Sequence, residues 1–169
     1  MAWNKSMNRK KVIGMFFLGL LLMLALELSL VWLLRQVIGL PAFEWGWLNP
    51  ILGLLAVAVG AWLVIWSVRI QYTEGLGTPY PKVATQKLIV SGPYACTRNP
   101  MTLGAALFYL GISIWAGSAA VTGLVLIIFT GLLTYIYTHE TRELSERFGA
   151  EYLDYKQKTS FLIPWRRYR

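Results

Sequence analysis

The residues with the clearest chemical potential stand at the start of an apolar helix. Residues 91–100 read SGPYACTRNP, and the apolar stretch MTLGAALFYLGISIWAG follows directly. Arg98 carries a permanent charge on a planar guanidinium that matches a carboxylate. The free N–H groups at the start of the next helix also attract anions, and Tyr94 adds a flat ring. The segment therefore predicts a site for a small anionic or zwitterionic molecule, against the simpler interpretation of a turn followed by a helix start.

Some features of this segment need no function. Asn99-Pro100 suits a helix start, because Asn is a good N-cap and Pro fits the first helical turn, and Asn49-Pro50 precedes another apolar stretch in the same way. Gly104 and Gly111 are seven residues apart and share a helix face, which another helix or a ligand can approach closely. We favour helix packing for Gly111 and leave both alternatives open for Gly104.

A second polar group follows the last apolar stretch. Glu140 stands where that stretch ends, so it can pair with Arg98 or face a bound cation. His139 is the only histidine, and the sequence HETRE lacks the second histidine of a zinc-protease helix, so we expect no metal site. Neighbouring residues of a helix point about 100° apart, so His139 and Glu140 are not expected to act on one atom.

The composition predicts an integral membrane protein. The 169 residues are 56% hydrophobic and 14% charged, whereas soluble domains carry about 25% charged residues. Four apolar stretches approach the length of about 20 residues that a membrane-spanning helix needs: 12–34, 51–68, 101–117 and 119–138. The last two must form a tight helical hairpin that turns near Gly117-Ser118.

The distribution of basic residues predicts the orientation. Fifteen of the 16 basic residues fall in the N-terminal tail, in the segment 69–100 or after residue 138, and only Arg35 falls on the other side. The positive-inside rule assigns those three segments to the cytoplasm. Topology therefore explains the net charge of +8 without a nucleic-acid partner. We expect a bacterial inner-membrane protein with both termini in the cytoplasm.

The whole chain, 1–169, is expected to form one all-α membrane domain. It has four transmembrane helices, a tight C-terminal hairpin and a cytoplasmic amphipathic helix. The segment 71–100 predicts an irregular loop over the helix ends. The segment 139–158 predicts the amphipathic helix, because apolar residues recur there at helical spacing: Leu144, Phe148, Tyr152 and Tyr155.

Charged side chains outside the candidate site are expected to be structural. Glu143–Arg147 and Asp154–Lys158 have the spacing of ion pairs on a solvated helix face. FLIPW and RRYR at the C-terminal end predict a segment at the membrane interface. Glu27 is the lone charge within a predicted span, a position that is often functional. Since it lies away from the inner loop, we favour a structural role for it, paired with a polar neighbour or water.

Three segments resemble a known family. GLGTPYP at 75–81, KLIVSGPYACTRNPMTLG at 87–104 and ETRELSERFGAEYLDY at 140–155 are similar to the integral-membrane methyltransferases related to isoprenylcysteine carboxyl methyltransferase and the phospholipid N-methyltransferases. The resemblance covers the C-terminal half. This chain departs from the pattern at three positions: Thr102 stands where the family often has Tyr, Thr141 where it often has a second Glu, and Asn99 where eukaryotic carboxyl methyltransferases have His.

The resemblance implies a site for S-adenosylmethionine at the cytoplasmic face, formed by residues 71–169. Arg98 and the helix N-terminus would suit its carboxylate, and Glu140 its ammonium, while an apolar wall that includes Tyr94 would enclose the adenine. The implied contacts, with Arg98 and Gly104 added from their own chemistry, are Gln86, Lys87, Leu88, Ile89, Tyr94, Arg98, Asn99, Pro100, Met101, Thr102, Gly104 and Glu140.

The resulting hypothesis is S-adenosylmethionine-dependent methyl transfer to a lipophilic acceptor in the membrane, with membrane lipids as partners. The acceptor is a lipid or a lipophilic small molecule that carries a carboxylate, amine or thiol. An amine must first lose a proton, and Glu140 or His139 are the nearby candidates to accept it. Together with Arg98, which would hold the carboxylate of the cofactor, they are the expected catalytic residues: Arg98, Glu140 and His139. The alternative is a non-enzymatic membrane scaffold or subunit, in which Arg98 and Glu140 form a plain salt bridge without a cavity.

Overall fold

The described part of the chain, residues 8–80 and 84–168 of this computed structural model, contains five α-helices. Their bounds are α1 (Arg9–Gln36), α2 (Leu48–Thr73), α3 (Pro100–Trp115), α4 (Ala119–Tyr135) and α5 (Thr141–Lys158). A 3-10 turn, Gly92–Ala95, precedes α3, and a π-helical turn, Ile136–Glu140, joins α4 directly to α5. Predicted features at Lys5, Pro81, Lys82 and Arg169 lie outside the described residues.

The helical class is confirmed, and three helices are long and apolar enough to cross a membrane. These are α1, α2 and the helical run Ala119–Lys158, which comprises α4, the π turn and α5 and has a kink at Gly149. The third predicted span, 101–117, forms α3, which is apolar but has 16 residues, just below the roughly 17–25 residues of a typical span. A crossing by α3 therefore stays a prediction.

The hairpin between α3 and α4 turns at the predicted position. Gly117 has a φ of 63°, and the Ser118 hydroxyl accepts a hydrogen bond from the Val121 N–H at 3.4 Å. The Phe43 N–H donates to the Gly117 carbonyl at 2.9 Å. A Cβ atom at position 117 would lie 2.6 Å from the Phe43 oxygen, so both the backbone angle and the close approach require glycine there.

The helix ends gather at two sides of the protein. On one side, Arg9 donates to the Tyr72 carbonyl at 3.2 Å and lies 4.5 Å from the centre of the Tyr72 ring, which ties the start of α1 to the end of α2. On the other, Asn49 donates to the Phe43 and Ile114 carbonyls, both at 3.1 Å. Asn49 was expected to cap α2 from outside. It lies instead within the first turn and is buried, because α2 begins at Leu48.

Close packing of α2 against α3 explains the paired glycines. A Cβ atom at Gly104 would lie 2.8 Å from the Gly60 oxygen, and one at Gly111 would lie 2.7 Å from the Gly53 oxygen. Small residues allow helix backbones to approach in this way. The alternatives left open for Gly104 are thereby decided: the structure places it against α2, where the partner backbone occupies the space that a ligand would need.

Candidate functional site

The loop after α2 folds back on itself at the Gly-Leu-Gly sequence. The Gln86 N–H donates to the Gly75 carbonyl at 2.7 Å, and a Cβ atom at Gly77 would lie 2.5 Å from the backbone of Thr85. Leu76, between the two glycines, has a φ of 53°. This tight return brings the segment 84–90 alongside the end of α2, where Ile89 is buried.

Tyr94 occupies the centre of this end of the protein. The 3-10 turn buries its side chain, which is 8% exposed. Gln71 donates to the Tyr94 hydroxyl at 2.7 Å, and the Tyr155 hydroxyl donates to the Tyr94 carbonyl at 2.7 Å. Burial is the main reason that the pKa of Tyr94 is raised, and Glu140 adds to the rise, while the hydrogen bond from Gln71 opposes it. The phenol is therefore neutral, and it links α2, the loop and α5.

These elements surround a cleft of about 90 Å³. Six of the predicted site residues line it: Leu88, Ile89, Tyr94, Arg98, Asn99 and Glu140. The other lining residues come from the end of α2, the loop, the π turn and α5: Gln71, Thr85, Ile136, Thr141, Leu144, Phe148, Tyr152 and Tyr155. Arg98 and Glu140 thus border one cavity, as the enzymatic hypothesis requires.

Arg98 brings an uncompensated positive charge into the cleft. Its Nη1 lies 3.4 Å from the Tyr152 hydroxyl, and its Nε is buried without a hydrogen-bond partner in residues 8–80 and 84–168. The guanidinium also lies 5.3 Å from the centre of the Phe161 ring. Within the described residues, Arg98 forms no ion pair. The scaffold hypothesis predicted a plain Arg98–Glu140 salt bridge without a cavity, and the described structure has the cavity and not the bridge.

The π turn places Glu140 on the same cleft. It contains one more residue than an α-helical turn, a distortion common at functional sites, and the Thr141 hydroxyl donates across it to the Ile136 carbonyl at 3.3 Å. Glu140 is exposed as a residue, yet it lines the cleft. Shielding there raises the pKa of the Glu140 carboxyl, and Glu143 raises it further.

Several predicted site residues lie elsewhere. Gln86 and Lys87 are exposed, and Pro100 is buried at the start of α3. His139 is exposed and stacks on Tyr135 with ring centres 4.9 Å apart, so it does not join Glu140 at the cleft. Two further predicted contacts line a separate apolar groove: Met101 and Thr102.

The C-terminal tail forms contacts that the sequence does not reveal. The Arg98 N–H donates to the Ser160 carbonyl at 2.9 Å, and the Tyr168 N–H donates to the Ala95 carbonyl at 2.7 Å. Asn99 was expected to cap α3, but its amide donates instead to the Phe161 carbonyl at 2.9 Å. The tail therefore packs over the loop that carries Arg98, and it holds that loop in place.

Residues on α5 were recognised as a periodic face but not as part of a site. The pattern of Leu144, Phe148, Tyr152 and Tyr155 predicts an apolar face, and only the fold shows that the cleft lies against it. The predicted Asp154–Lys158 ion pair is confirmed at 2.8 Å. The Glu143–Arg147 pair is absent from the described residues, because Arg147 donates to the Thr85 carbonyl of the loop.

Replacement of Asn99 by alanine is expected to loosen the tail. The change removes the hydrogen bond to Phe161, and a hydrogen bond of this kind contributes about 1 kcal/mol, which corresponds to roughly fivefold faster opening. Hydrogen exchange measured by mass spectrometry should show this acceleration in the peptide 159–168. Asn8→Ala, which removes a cap at the start of α1, should leave the tail unchanged. Equal tail exchange in both variants would contradict this role of Asn99.

Known proteins with similar sequences are methyltransferases. The family model for phospholipid methyltransferases matches residues 48–151. The chain is 32% identical over 162 residues to methanethiol S-methyltransferase 1 of Bradyrhizobium diazoefficiens, a match that covers 83% of this chain and 52% of that protein. It is also 26% identical over 143 residues to methanethiol S-methyltransferase of Mycobacterium tuberculosis, a match that covers 81% of this chain and 54% of that protein.

The chain therefore spans about half the length of the curated relatives it matches. No solved structure shows a significant match. The family match extends from the start of α2 into α5, and it includes the loop, Arg98 and Glu140. Because that match covers more than half of the chain, the chain belongs to the phospholipid methyltransferase family.

Proposed function

We propose that this chain transfers a methyl group from S-adenosylmethionine, bound in the cleft, to a lipophilic acceptor in the membrane. Family membership and the names of the relatives support methyl transfer. The observation that carries the proposal is the Arg98 guanidinium, which lines the cleft and whose buried Nε has no acceptor among the residues that the structure describes. The distribution of basic residues favours the cytoplasmic face for the cleft, with four helices crossing the membrane.

The polar atoms of the cleft fit the amino-acid end of this cofactor. Arg98 offers donors for a carboxylate, and Glu140 offers an anionic acceptor for an ammonium. The buried Oε1 of Gln71, which has no partner in the described part of the chain, is a further hydrogen-bond acceptor. Ligand pockets usually measure about 300–1,000 Å³, so a cleft of about 90 Å³ holds one end of the cofactor, and we expect the rest to lie along its open side.

When bound, S-adenosylmethionine supplies an electrophilic methyl group on a sulfonium. The task of the chain is to align the reactants and to exclude water. Arg98 and Glu140 fix the two charged groups of the amino-acid end. Apolar surface for the remainder comes from the loop and α5, with Ile89 buried and Leu144 and Phe148 partly buried.

The acceptor class is open to a carboxylate, an amine or a thiol, and the names of the relatives favour a thiol. A thiolate requires no general base at the moment of transfer. An amine requires one, and Glu140 is then the candidate, since His139 stacks on Tyr135 away from the cleft. We propose that Arg98 and Glu140 carry the site and that His139 has no direct part in it.

The function is tested by incubating the purified full chain with methyl-labelled S-adenosylmethionine. Native lipid extract and methanethiol are offered in separate reactions, and labelled products are identified by mass spectrometry. We expect a labelled product in at least one reaction, and its identity gives the acceptor class. Absence of product in both, together with no calorimetric binding of S-adenosylhomocysteine, would refute the proposal.

Binding of S-adenosylhomocysteine is expected to weaken in mild acid. Glu140 binds the ammonium only when ionised, and its pKa is raised above the ordinary value. S-adenosylhomocysteine therefore binds with full affinity above this raised pKa, and its affinity falls as the pH drops through it. The decline begins at a higher pH than it would for a glutamate with the ordinary pKa of about 4.3. Calorimetry across the acid range measures the decline. Glu140→Gln should abolish it, whereas the exposed Glu146→Gln should retain it; a decline that persists in Glu140→Gln would assign it to another group.

A further inference from the structure

The C-terminal tail, residues 159–168, is covered by protein on one side only. Thr159 and Ser160 are buried on the inner side, where the tail packs over the loop that carries Arg98. The outer side carries two large exposed side chains, Ile163, which is 55% exposed, and Trp165, which is 74% exposed. The residues between and after them are exposed as well. We name this outer surface the tail face; it consists of Ile163, Pro164, Trp165, Arg166 and Arg167.

Hydrogen bonds hold the backbone of the tail face in place. The Arg166 N–H donates to the Ser160 hydroxyl at 3.1 Å. The Trp165 N–H donates to the Ile163 carbonyl at 2.9 Å. Just beyond the tail face, the Tyr168 N–H donates to a carbonyl of the 3-10 turn at 2.7 Å. These bonds anchor the tail face at both ends, so its side chains are positioned before any partner binds.

The tail face is positively charged. Residues 155–169 include five lysines and arginines and no acidic residue. Asp154, the last acidic residue in the sequence, pairs with Lys158 at 2.8 Å. Neither Arg166 nor Arg167 forms an ion pair in the part of the chain that the structure describes. The two guanidinium groups are therefore available to an anionic partner.

The tail face lies near the level at which the hairpin of α3 and α4 ends. The Phe161 ring, which directly precedes this surface by two residues, has its centre 5.5 Å from that of the Tyr137 ring in the π turn after α4. The same ring lies 5.3 Å from the guanidinium of Arg98, two residues before α3. The apolar stretches of both helices end here, so a bilayer around the hairpin would have its headgroups at this level.

We propose that the tail face binds the headgroup of an anionic phospholipid, such as phosphatidylglycerol, in the surrounding bilayer. The guanidinium groups of Arg166 and Arg167 match phosphate oxygens, while Ile163 and Trp165 contact the lipid next to its headgroup. A zwitterionic lipid carries its own cation beside the phosphate, so it gains less from two arginines. A free phosphate ion would leave the two apolar side chains uncovered. Charge and apolar surface together therefore favour an anionic lipid.

The bound lipid stabilises the loop of Arg98 through the inner side of the tail. The Ser160 carbonyl accepts the Arg98 N–H at 2.9 Å, and the Phe161 carbonyl accepts the Thr97 hydroxyl at 3.2 Å. A lipid that binds only the ordered tail shifts the equilibrium between the ordered and the open tail toward the ordered form. This surface goes beyond the proposed function, since none of its residues lines the cleft.

Lipid binding is tested by native mass spectrometry of the full chain in detergent, titrated with dioleoylphosphatidylglycerol or dioleoylphosphatidylcholine. Each basic residue near an anionic lipid surface contributes roughly fivefold in affinity, so we expect phosphatidylglycerol to bind about tenfold more tightly or better. The double variant Arg166→Gln with Arg167→Gln should lose this preference. The matched double variant Lys10→Gln with Lys11→Gln, which removes two exposed charges at the start of α1, should keep it. Equal affinity for the two lipids, or equal loss in both double variants, would overturn the proposal.

Hydrogen exchange adds a readout in the bilayer. The full chain and the arginine double variant are compared in nanodiscs of equal parts phosphatidylglycerol and phosphatidylcholine, so that the surface pH is the same for both. In the variant we expect the backbone amides of the tail peptide 159–168 to lose about fivefold of their protection, and those of the loop peptide 92–99 to lose part of theirs. In phosphatidylcholine alone the two proteins should exchange alike.

Two outcomes would contradict the stabilising role of the lipid. One is equal protection of the tail in the chain and the arginine variant in the anionic bilayer. The other is an equal loss of protection in the bilayer of phosphatidylcholine alone. Since no methyl donor is present in either experiment, failure here leaves the proposed function untouched.

Discussion

Replacing Arg98 with alanine is expected to weaken the binding of S-adenosylhomocysteine by about 10-fold to 100-fold. Hydrogen bonds to charged groups contribute about 1.5–3 kcal/mol, and each 1.4 kcal/mol corresponds to about tenfold in affinity. The guanidinium has no competing carboxylate among the described residues, so its interaction with the ligand carboxylate is lost in full. Isothermal titration calorimetry in detergent measures the change.

The matched control for this prediction is Arg142→Ala. Arg142 is on the same side of the protein, but its side chain is 81% exposed and pairs with Glu146 at 2.9 Å, so affinity should remain within about twofold of the unaltered chain, as is usual for exposed pairs. Arg98→Lys keeps the charge but lacks the planar guanidinium, so its affinity for S-adenosylhomocysteine should lie between those of the unaltered chain and Arg98→Ala. The bond from the Arg98 N–H to Ser160 survives each substitution, so thermal unfolding should change little. Undiminished binding in Arg98→Ala would place the ligand carboxylate elsewhere.

Replacing Gly60 with alanine is expected to have the largest effect on stability. The new Cβ atom would lie 2.5 Å from both the Gly104 oxygen and the Phe108 nitrogen. These are backbone atoms, so the helices must separate. Overpacking of this kind costs about 1–3 kcal/mol, which for a protein of this size corresponds to a fall in melting temperature of roughly 2–12 °C. Circular dichroism during heating in detergent measures it.

The control is Gly123→Ala in α4, where a new Cβ atom would have no described atom within 4 Å. This variant should be as stable as the unaltered chain or slightly more so, because alanine favours the helix by about 1 kcal/mol over glycine. Gly60→Ala should also weaken binding of S-adenosylhomocysteine, since α2 carries Gln71 and α3 follows Arg98. Equal melting temperatures for the two variants would show that α2 and α3 are not packed as closely as described.

The elements of the fold were largely readable from the chain. The apolar stretches, the hairpin at Gly117-Ser118 and the helix after residue 138 depend on local features, namely runs of apolar side chains, a glycine with positive φ and a helical period. Arg98 and Glu140 were likewise recognisable as candidate site residues, because Arg98 stands at the start of one apolar helix and Glu140 at the end of the next, and a tight hairpin between these helices brings the two charges to the same end. The resemblance at 87–104 pointed to the same place.

Other parts of the site depend on contacts between distant segments. Gln71 reaches Tyr94, Asn99 holds the tail at Phe161, and Arg147 bonds to the loop instead of to Glu143. None of these pairings has a spacing along the chain that would predict it. The place of Gly104 against Gly60 also depends on which helix packs there.

The amino-acid sequence alone determined which segments are helical, which segments carry the basic residues, and which charged residues stand at the open end of the hairpin formed by α3 and α4. Those properties depend on residues close together in the sequence, whose interactions do not require the tertiary fold. Only the tertiary structure decided that Arg98 and Glu140 share a cleft without forming an ion pair, that His139 points elsewhere and that Glu27 lies buried beside an apolar groove. Each of these depends on the packing of helices far apart in sequence, and periodicity carries no information about that packing.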